Sequence, residues 1–547
     1  MAVNVEKLHR HFSTLVERRM AIEPLWRETA KYYLPTSMTW QSGLGTSFTS
    51  TVPQRGIQVF DDTPAWAAGR FAAAMLGMIM NPGQKWLEFE LYTDHDNLSD
   101  AGKAWLQELR DRVLFTLQLP DVGFYDAMHE HLLDYGIFGE SVMLIDKNPK
   151  TGLPRFTPYP LEQCYVGMSE RRTPDTVFRR HEMSVQALVD VFGMDALPKS
   201  VREKYAADKY LEKLTVIHAV FPRTHGIAGG FADNKPWASV HYLEQDKHLL
   251  RESGFDVFPF SCPRFTLFAS QDHGQGPGTL SLANVKTLNS IIKTMLRSDQ
   301  RKAAPAYVAS RRGWIKQLNF TPDAVNYFDG YDMDKSLIPI GNEGQPQAGR
   351  EWVQMYQEQI LRAFYLDRLI TQDKRAEVKE MEVLTKEEER MRDLVPQLSR
   401  LHAESISHIV LNTIMYVGDM MGPPPPDIGK NSVKIRYLSP LARAQRLLEV
   451  SNANRTLQQV IIPLAQIDPT ATKAIDIFKF ANWSLDQSGF PQEVRVSEEQ
   501  FLAEKQAEEQ QQQAAMVLQA GESASVTAKN FSQAQQATPD PLKAIFG

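Results

Sequence analysis

A chain of 547 residues, 43% apolar and 23% charged, has the composition of a folded globular protein large enough to divide into several domains. Its net charge of −6 argues against a protein that grips nucleic acid over its whole surface, while leaving room for a local basic strip. Only Cys164 and Cys262 are cysteines, and the polar opening Met1 to Arg10 carries no secretory pattern, so a reducing compartment is expected; the most apolar window, Ala65 to Met80, is too short to cross a bilayer, and no membrane partner is expected.

Residues 4–33 read as helical, with Leu8, Phe12, Leu15, Leu25 and Trp26 at apolar positions, and 37–56 are rich in Ser, Thr and Gly, the composition of a loop or mobile arm. After Asp61-Asp62-Thr63-Pro64 a buried small-residue helix runs from Ala65 to Met80, with Thr63 placed to cap it and Pro64 at its first helical position. Trp86 to Leu91 alternates as a half-buried strand, helices follow near 99–118 and 122–138, and Ser141 to Ile145 and Phe156 to Tyr159 read as strands. Residues 176–268 continue as mixed helix and short strands, including Leu214 to Val220, without a regular βαβ rhythm.

The character changes near Gly274-Gln275-Gly276-Pro277-Gly278. A helix from Leu280 to about Ala303 carries Leu282, Val285, Leu288, Ile292, Met295 and Leu296, flanked by a basic face of Lys286, Lys293, Arg297, Arg301 and Lys302. A compact module at 305–345 separates it from a second helix, about 350–370, with Trp352, Val353, Tyr356, Ile360 and Phe364 to one side. Thr371 to Glu380 is almost free of large apolar residues and is expected to be a solvated turn or a loop facing a water-filled space. Then comes an amphipathic helix of roughly 35 residues, about 50 Å at 1.5 Å per residue, opened by the capping-box pair Thr385 and Glu388, bent at Pro396 and stopped by Gly422 and the prolines that follow. Val433 to Tyr437 is a strand, helices fill 451–481, and a Glu-, Gln- and Ala-rich helix from Glu498 fades into a disordered tail at 520–547. The fold class is α+β, predominantly helical.

Four blocks in order resemble the head-to-tail connector, or portal, proteins of short-tailed phages. They are Trp66 to Arg70 with Met80-Asn81-Pro82; Gly276-Pro277 with Val285 to Asn289; Met381-Glu382-Val383 with Glu388 to Met391 and Leu398 to Leu401; and Val433 to Arg446. Lys379-Glu380-Met381 stands where many relatives are threonine-rich before the Glu-Val pair. The resemblance implies a subunit of a ring, a dodecamer, at one capsid vertex, with double-stranded DNA passing along its axis. It also implies a division into a wing with N-terminal helix and arm (1–270), a stem helix (271–303), a clip (304–349), a second stem helix (350–370), a tunnel loop (371–380), a long wing helix with a returning strand (381–440) and a helical crown (441–519). The partners implied are the major capsid protein and scaffold, the terminase motor and a tail adaptor, in the virion and, during assembly, in the host cytoplasm. Lys374, Arg375 and Lys379 would meet phosphates weakly and without sequence preference, the acids Asp373, Glu377 and Glu380 preventing tight binding.

Other signals carry less. His129 and His131 point about 200° apart on a helix, cannot share one metal ion and read as surface histidines. No phosphate-binding Gly-x-x-x-x-Gly-Lys-Ser/Thr occurs, so no ATPase is expected; no catalytic residue, metal or cofactor is expected either. Two rival readings remain: another ring-forming virion adaptor, and a hydrolase or nuclease in residues 80–270, where no carboxylate or histidine cluster has catalytic spacing.

Overall fold

The computed structural model describes residues 3–35, 59–91, 99–223, 235–303 except 270, 306–309, 337–340, 346–369, 395–418, 421–426, 428, 433–437 and, beyond 449, mainly 450–463 and 477–487 with gaps. One compact unit comprises Met1–Glu90, Glu108–Pro423 and Lys434–Gln445; a second comprises Leu91–Gln107, Pro424–Val433 and Arg446–Gly547. In the second, the helix Ile477–Gln487 carries Phe480 and Trp483, whose rings are tilted by 38° with centres 5.9 Å apart. The expected arm at 37–56, the capping pair Thr385 and Glu388, and the tail at 520–547 lie outside the described residues.

The first unit opens with α1 (Val5–Arg19) and α2 (Glu23–Tyr33), so the helical stretch 4–33 is interrupted at 20–22. Asn4 caps α1 by accepting from the Lys7 amide at 3.0 Å. Leu8, Phe12 and Leu15, spaced at i, i+4 and i+7, lie along one stripe and pack onto Tyr165, Phe178, Ile217, Ala219 and Tyr242. Those partners belong to a five-stranded antiparallel sheet in the order β4 (Cys164–Met168), β5 (Pro174–Ser184), β6 (Lys213–Pro222), β7 (Trp237–Leu243) and β8 (Leu249–Phe255). Its central strand is buried along nearly its whole length. A second cluster explains why: α6 (Val185–Phe192) and α7 (Lys199–Ala206) set Val185, Leu188 and Val201 against Leu214, Val216, Leu243 and Leu250.

A three-stranded sheet joins β3 (Pro154–Tyr159), β2 (Val142–Lys147) and β9 (Phe260–Ser261). A helical layer is built by α3 (Thr63–Ile79) and α5 (Phe124–Phe138). The α3 start sits one residue from the expected cap: Thr63 is the first helical residue, and its amide donates to Asp61 Oδ1 at 2.9 Å. Between them in sequence are β1 (Leu87–Leu91), which pairs with β12 (Val433–Tyr437), and α4 (Asp100–Gln118).

The described part of the long helix runs unbroken over 395–418, but not as a uniform α-helix: His402–Ile406 is a π-helical turn. A π turn admits an extra residue per turn and re-aims the side chains beyond it. Here it places Glu404 and Ser405 inward, where Ser405 meets Ser261 at 2.7 Å, while His402 stacks on Tyr437 at 4.1 Å between ring centres.

Candidate functional site

The basic face named from the sequence lies on the first of a pair of helices rooted in the first unit. Short α8 (Pro277–Leu280) enters through a close approach of backbones: a Cβ on Gly276 would come within 2.5 Å of the Gly139 amide nitrogen, and one on Gly278 within 2.5 Å of the Ile137 carbonyl. Gly139 itself, at φ +83°, adopts a conformation that side chains disfavour. After Ser281, whose hydroxyl meets Tyr33 Oη at 2.7 Å, α9 (Leu282–Ala303) buries Leu282, Val285 and Leu288 and then leaves the core, so that Leu296 is 45% exposed.

The returning helix, α10 (Pro346–Ala363), starts four residues before the expected boundary and runs antiparallel to α9. The pairing is fixed at two levels. A Cβ on Gly349 would touch Met295 Sδ at 3.0 Å, and deeper in, Asp61 accepts from Gln357 Nε2 at 2.8 Å while the neighbouring Phe60 amide donates to Asn289 Oδ1 at 2.8 Å. Buried Ile360 returns α10 to the core, and Phe364, just past its end, packs against Tyr33 and Phe71. The helix expected over 350–370 is interrupted there: Tyr365 has φ +56°, and α11 (Leu366–Leu369) begins after it.

Of the basic residues, Lys286 Nζ pairs with Glu28 of the same chain at 2.5 Å, Lys293 Nζ lies 6.0 Å from the centre of the Phe60 ring, and Arg297 is exposed. Arg301 and Lys302 fall on the last turn of α9, and their side chains lie outside the described residues, as do Lys374, Arg375 and Lys379 altogether. Between α9 and α10 a two-stranded antiparallel ladder sets β10 (Ala306–Ala309) against β11 (Leu337–Ile340), in register from Ala306 with Ile340 to Ala309 with Leu337.

The titratable groups buried elsewhere are arranged for holding the fold. His131 corrects the expectation of a surface histidine: it is 1% exposed, its Nε2 meets Ser261 Oγ at 2.9 Å, and burial lowers its pKa to about 3. Sequence reasoning missed the pair Arg264 and Glu404, 2% and 9% exposed, joined at 2.5 Å between Nη2 and Oε1. Neither residue has a local signal, because they stand 140 positions apart. Glu140 meets His273 Nδ1 at 2.9 Å beneath Trp26. Burial pushes the Cys164 thiol up to about 12 and that of Cys262 well above its ordinary value, the opposite of an activated nucleophile. Among the described residues no group of three or more His, Cys, Asp or Glu is placed to hold a metal ion, and no helix is long and apolar enough to cross a membrane.

A family model described as bacteriophage head to tail connecting protein matches residues 5–495. The chain belongs to this family. The chain is 26% identical to the portal protein of Salmonella phage epsilon15 over 99% of its own length and 97% of that protein's, and 24% identical to the probable portal protein of Bordetella phage BPP-1 over 95% of each. The match runs through residues 80–270, where a hydrolase or nuclease was the rival reading. The chain is thus a structural component of a phage virion rather than an enzyme.

Proposed function

We propose that this chain is the portal of its virion, a ring at one capsid vertex through which double-stranded DNA is packaged and ejected. The observation that carries this is likeness to two portal proteins along almost the whole chain. The fold agrees with it. A helix pair rooted at one end and carrying apolar Leu296, Trp352 and Met355 exposed at the other suits a subunit whose neighbours cover it.

In this reading the ring is a dodecamer; α9 and α10 are the stem, the module between them the clip, residues 371–380 the tunnel loop, the first 270 residues with 381–440 the wing, and 441–519 the crown. Lys374, Arg375 and Lys379 of each tunnel loop meet phosphates in passing, and Asp373, Glu377 and Glu380 keep those contacts weak enough for sliding. The clip receives the terminase motor and later the tail adaptor, and the wing meets the capsid protein and scaffold during assembly in the host cytoplasm. Removing the gene from the phage tests the reading: capsids formed without this chain are expected to hold no DNA and carry no tails. DNA-filled, tailed particles lacking it would refute the portal role.

A further inference from the structure

A ring closes through a contact in which two different faces of the same chain meet. The helix pair offers two such faces, of opposite charge. On α10 the residues Glu351, Met355, Glu358 and Arg362 follow one another at i, i+4, i+7 and i+11, a single stripe pointing away from buried Ile360 and Phe364. Its acids are largely solvated: Glu358 makes only a loose pair with Arg362 at 3.6 Å, both side chains being about two-thirds exposed. Trp352, 58% exposed, flanks the stripe, and Met355 sits at its centre.

On α9 the outward stripe is Ala283, Thr287, Ser290, Thr294 and Arg297, with Lys293 on its edge. It is low in relief. Thr287 and Thr294 turn their hydroxyls back onto the carbonyls of Ala283 and Ser290, at 2.9 and 2.8 Å, and so need no outside partner. Its charge is positive, and Lys293 and Arg297 have no carboxylate of their own chain within 4 Å among the described residues, whereas Lys286 has Glu28.

We infer that the α10 stripe of one copy docks on the α9 stripe of the next, Glu351 facing Lys293 and Arg297, and Trp352 and Met355 lying on the flat surface around Ser290. The heights agree. Gly349 is level with Met295, so Glu351 and Lys293, each two residues further toward the core along antiparallel helices, share a level about 3 Å below it. Rotation about an axis along the pair preserves that level from copy to copy. The inference rests on the ring reading above and assigns Lys293 and Arg297 to the neighbouring subunit rather than to DNA.

The full-length chain is purified as wild type, as Glu351→Lys/Glu358→Lys and as Lys293→Glu/Arg297→Glu, and weighed by mass photometry at one ionic strength. The wild type is expected as a large multiple of 62.1 kDa, each variant alone as the monomer, and an equimolar mixture as rings again, because each variant's altered face then meets its complement. Either variant assembling alone like wild type, or a mixture that stays monomeric, overturns the docking. A monomeric wild type overturns the ring reading beneath it, a result told apart because no substitution is involved. As a second measurement, Ser290→Cys/Met355→Cys in one chain should give a ladder of linked chains on oxidation, since the native cysteines are both buried. The single-cysteine chains should give none, and absence of the ladder in the double variant overturns the docking equally.

Discussion

Replacing Glu404 by alanine should loosen one part of the fold and leave another untouched. Glu404 accepts from the Arg264 backbone amide at 3.0 Å, from Nε at 3.2 Å and from Nη2 at 2.5 Å, and the remaining guanidinium donors reach the Asp272 and Arg172 carbonyls. Removing the carboxylate leaves a buried cation without its counter-charge, a loss of about 3–5 kcal/mol. Cys262 reports on it, because its amide donates to the Glu404 carbonyl and its thiol is buried. If opening of this contact exposes the thiol, labelling should accelerate by about a hundredfold to several thousandfold, at about 1.4 kcal/mol per factor of ten. Cys164, on β4 of the five-stranded sheet, serves as the internal control and should keep its wild-type rate. The double variant Arg264→Met/Glu404→Met should recover most of the protection, since an apolar pair of similar volume leaves no stranded charge. Acceleration of Cys262 by less than about tenfold, or equal acceleration of both thiols, would refute the reasoning.

Acid should weaken the five-stranded sheet. His218 and His241 stand opposite each other on β6 and β7 with rings stacked at 4.0 Å, and burial lowers the pKa of His241 to about 4, of His181 on β5 to about 3 and of His218 well below 6.5. The unfolded chain takes up these protons below about 6.5, the folded chain only near 4 at His241, near 3 at His181 and well below 6.5 at His218, so stability present above pH 6.5 is lost as pH falls toward those folded-state values. Thermal midpoints measured across it should fall, and less steeply in His241→Asn. Gly139→Ala should abolish soluble protein or cost more than about 3 kcal/mol, because the new Cβ would come within 2.1 Å of the Gly276 amide nitrogen at a φ of +83°; soluble yield and melting temperature report it. Tyr33→Phe should cost only about 1 kcal/mol in thermal stability, since Ser281 keeps its bond to the Pro277 carbonyl at 2.5 Å. Neutralising Asp373, Glu377 and Glu380 together should slow DNA passage by tightening phosphate contacts, read as a lower packaging rate.

Periodicity made much of the fold legible before any coordinates. The stripe of Leu8, Phe12 and Leu15 and the alternation of Leu87, Phe89 and Leu91 are local patterns, and each forms the element it announces. Tertiary partners were not legible. His131 reads as a surface residue because its closer partner, Ser261, lies 130 positions away. The π turn at His402–Ile406 and the break at Tyr365 have no proline or glycine to mark them; the one sets Glu404 toward Arg264, and the other follows Phe364, anchored between Tyr33 and Phe71. The basic face of α9 was visible as composition, yet only the fold separates Lys286, paired with Glu28, from Lys293 and Arg297 on the outer side.

The central claim is that this chain works as a ring around DNA, and imaging the purified full-length protein by electron cryomicroscopy tests it most directly. The account predicts closed rings, twelve-fold in the proposed form, with an axial hole wide enough for a duplex and the α9 and α10 helices of adjacent copies packed around it. A compact monomer, or a closed oligomer with no axial opening, would contradict it.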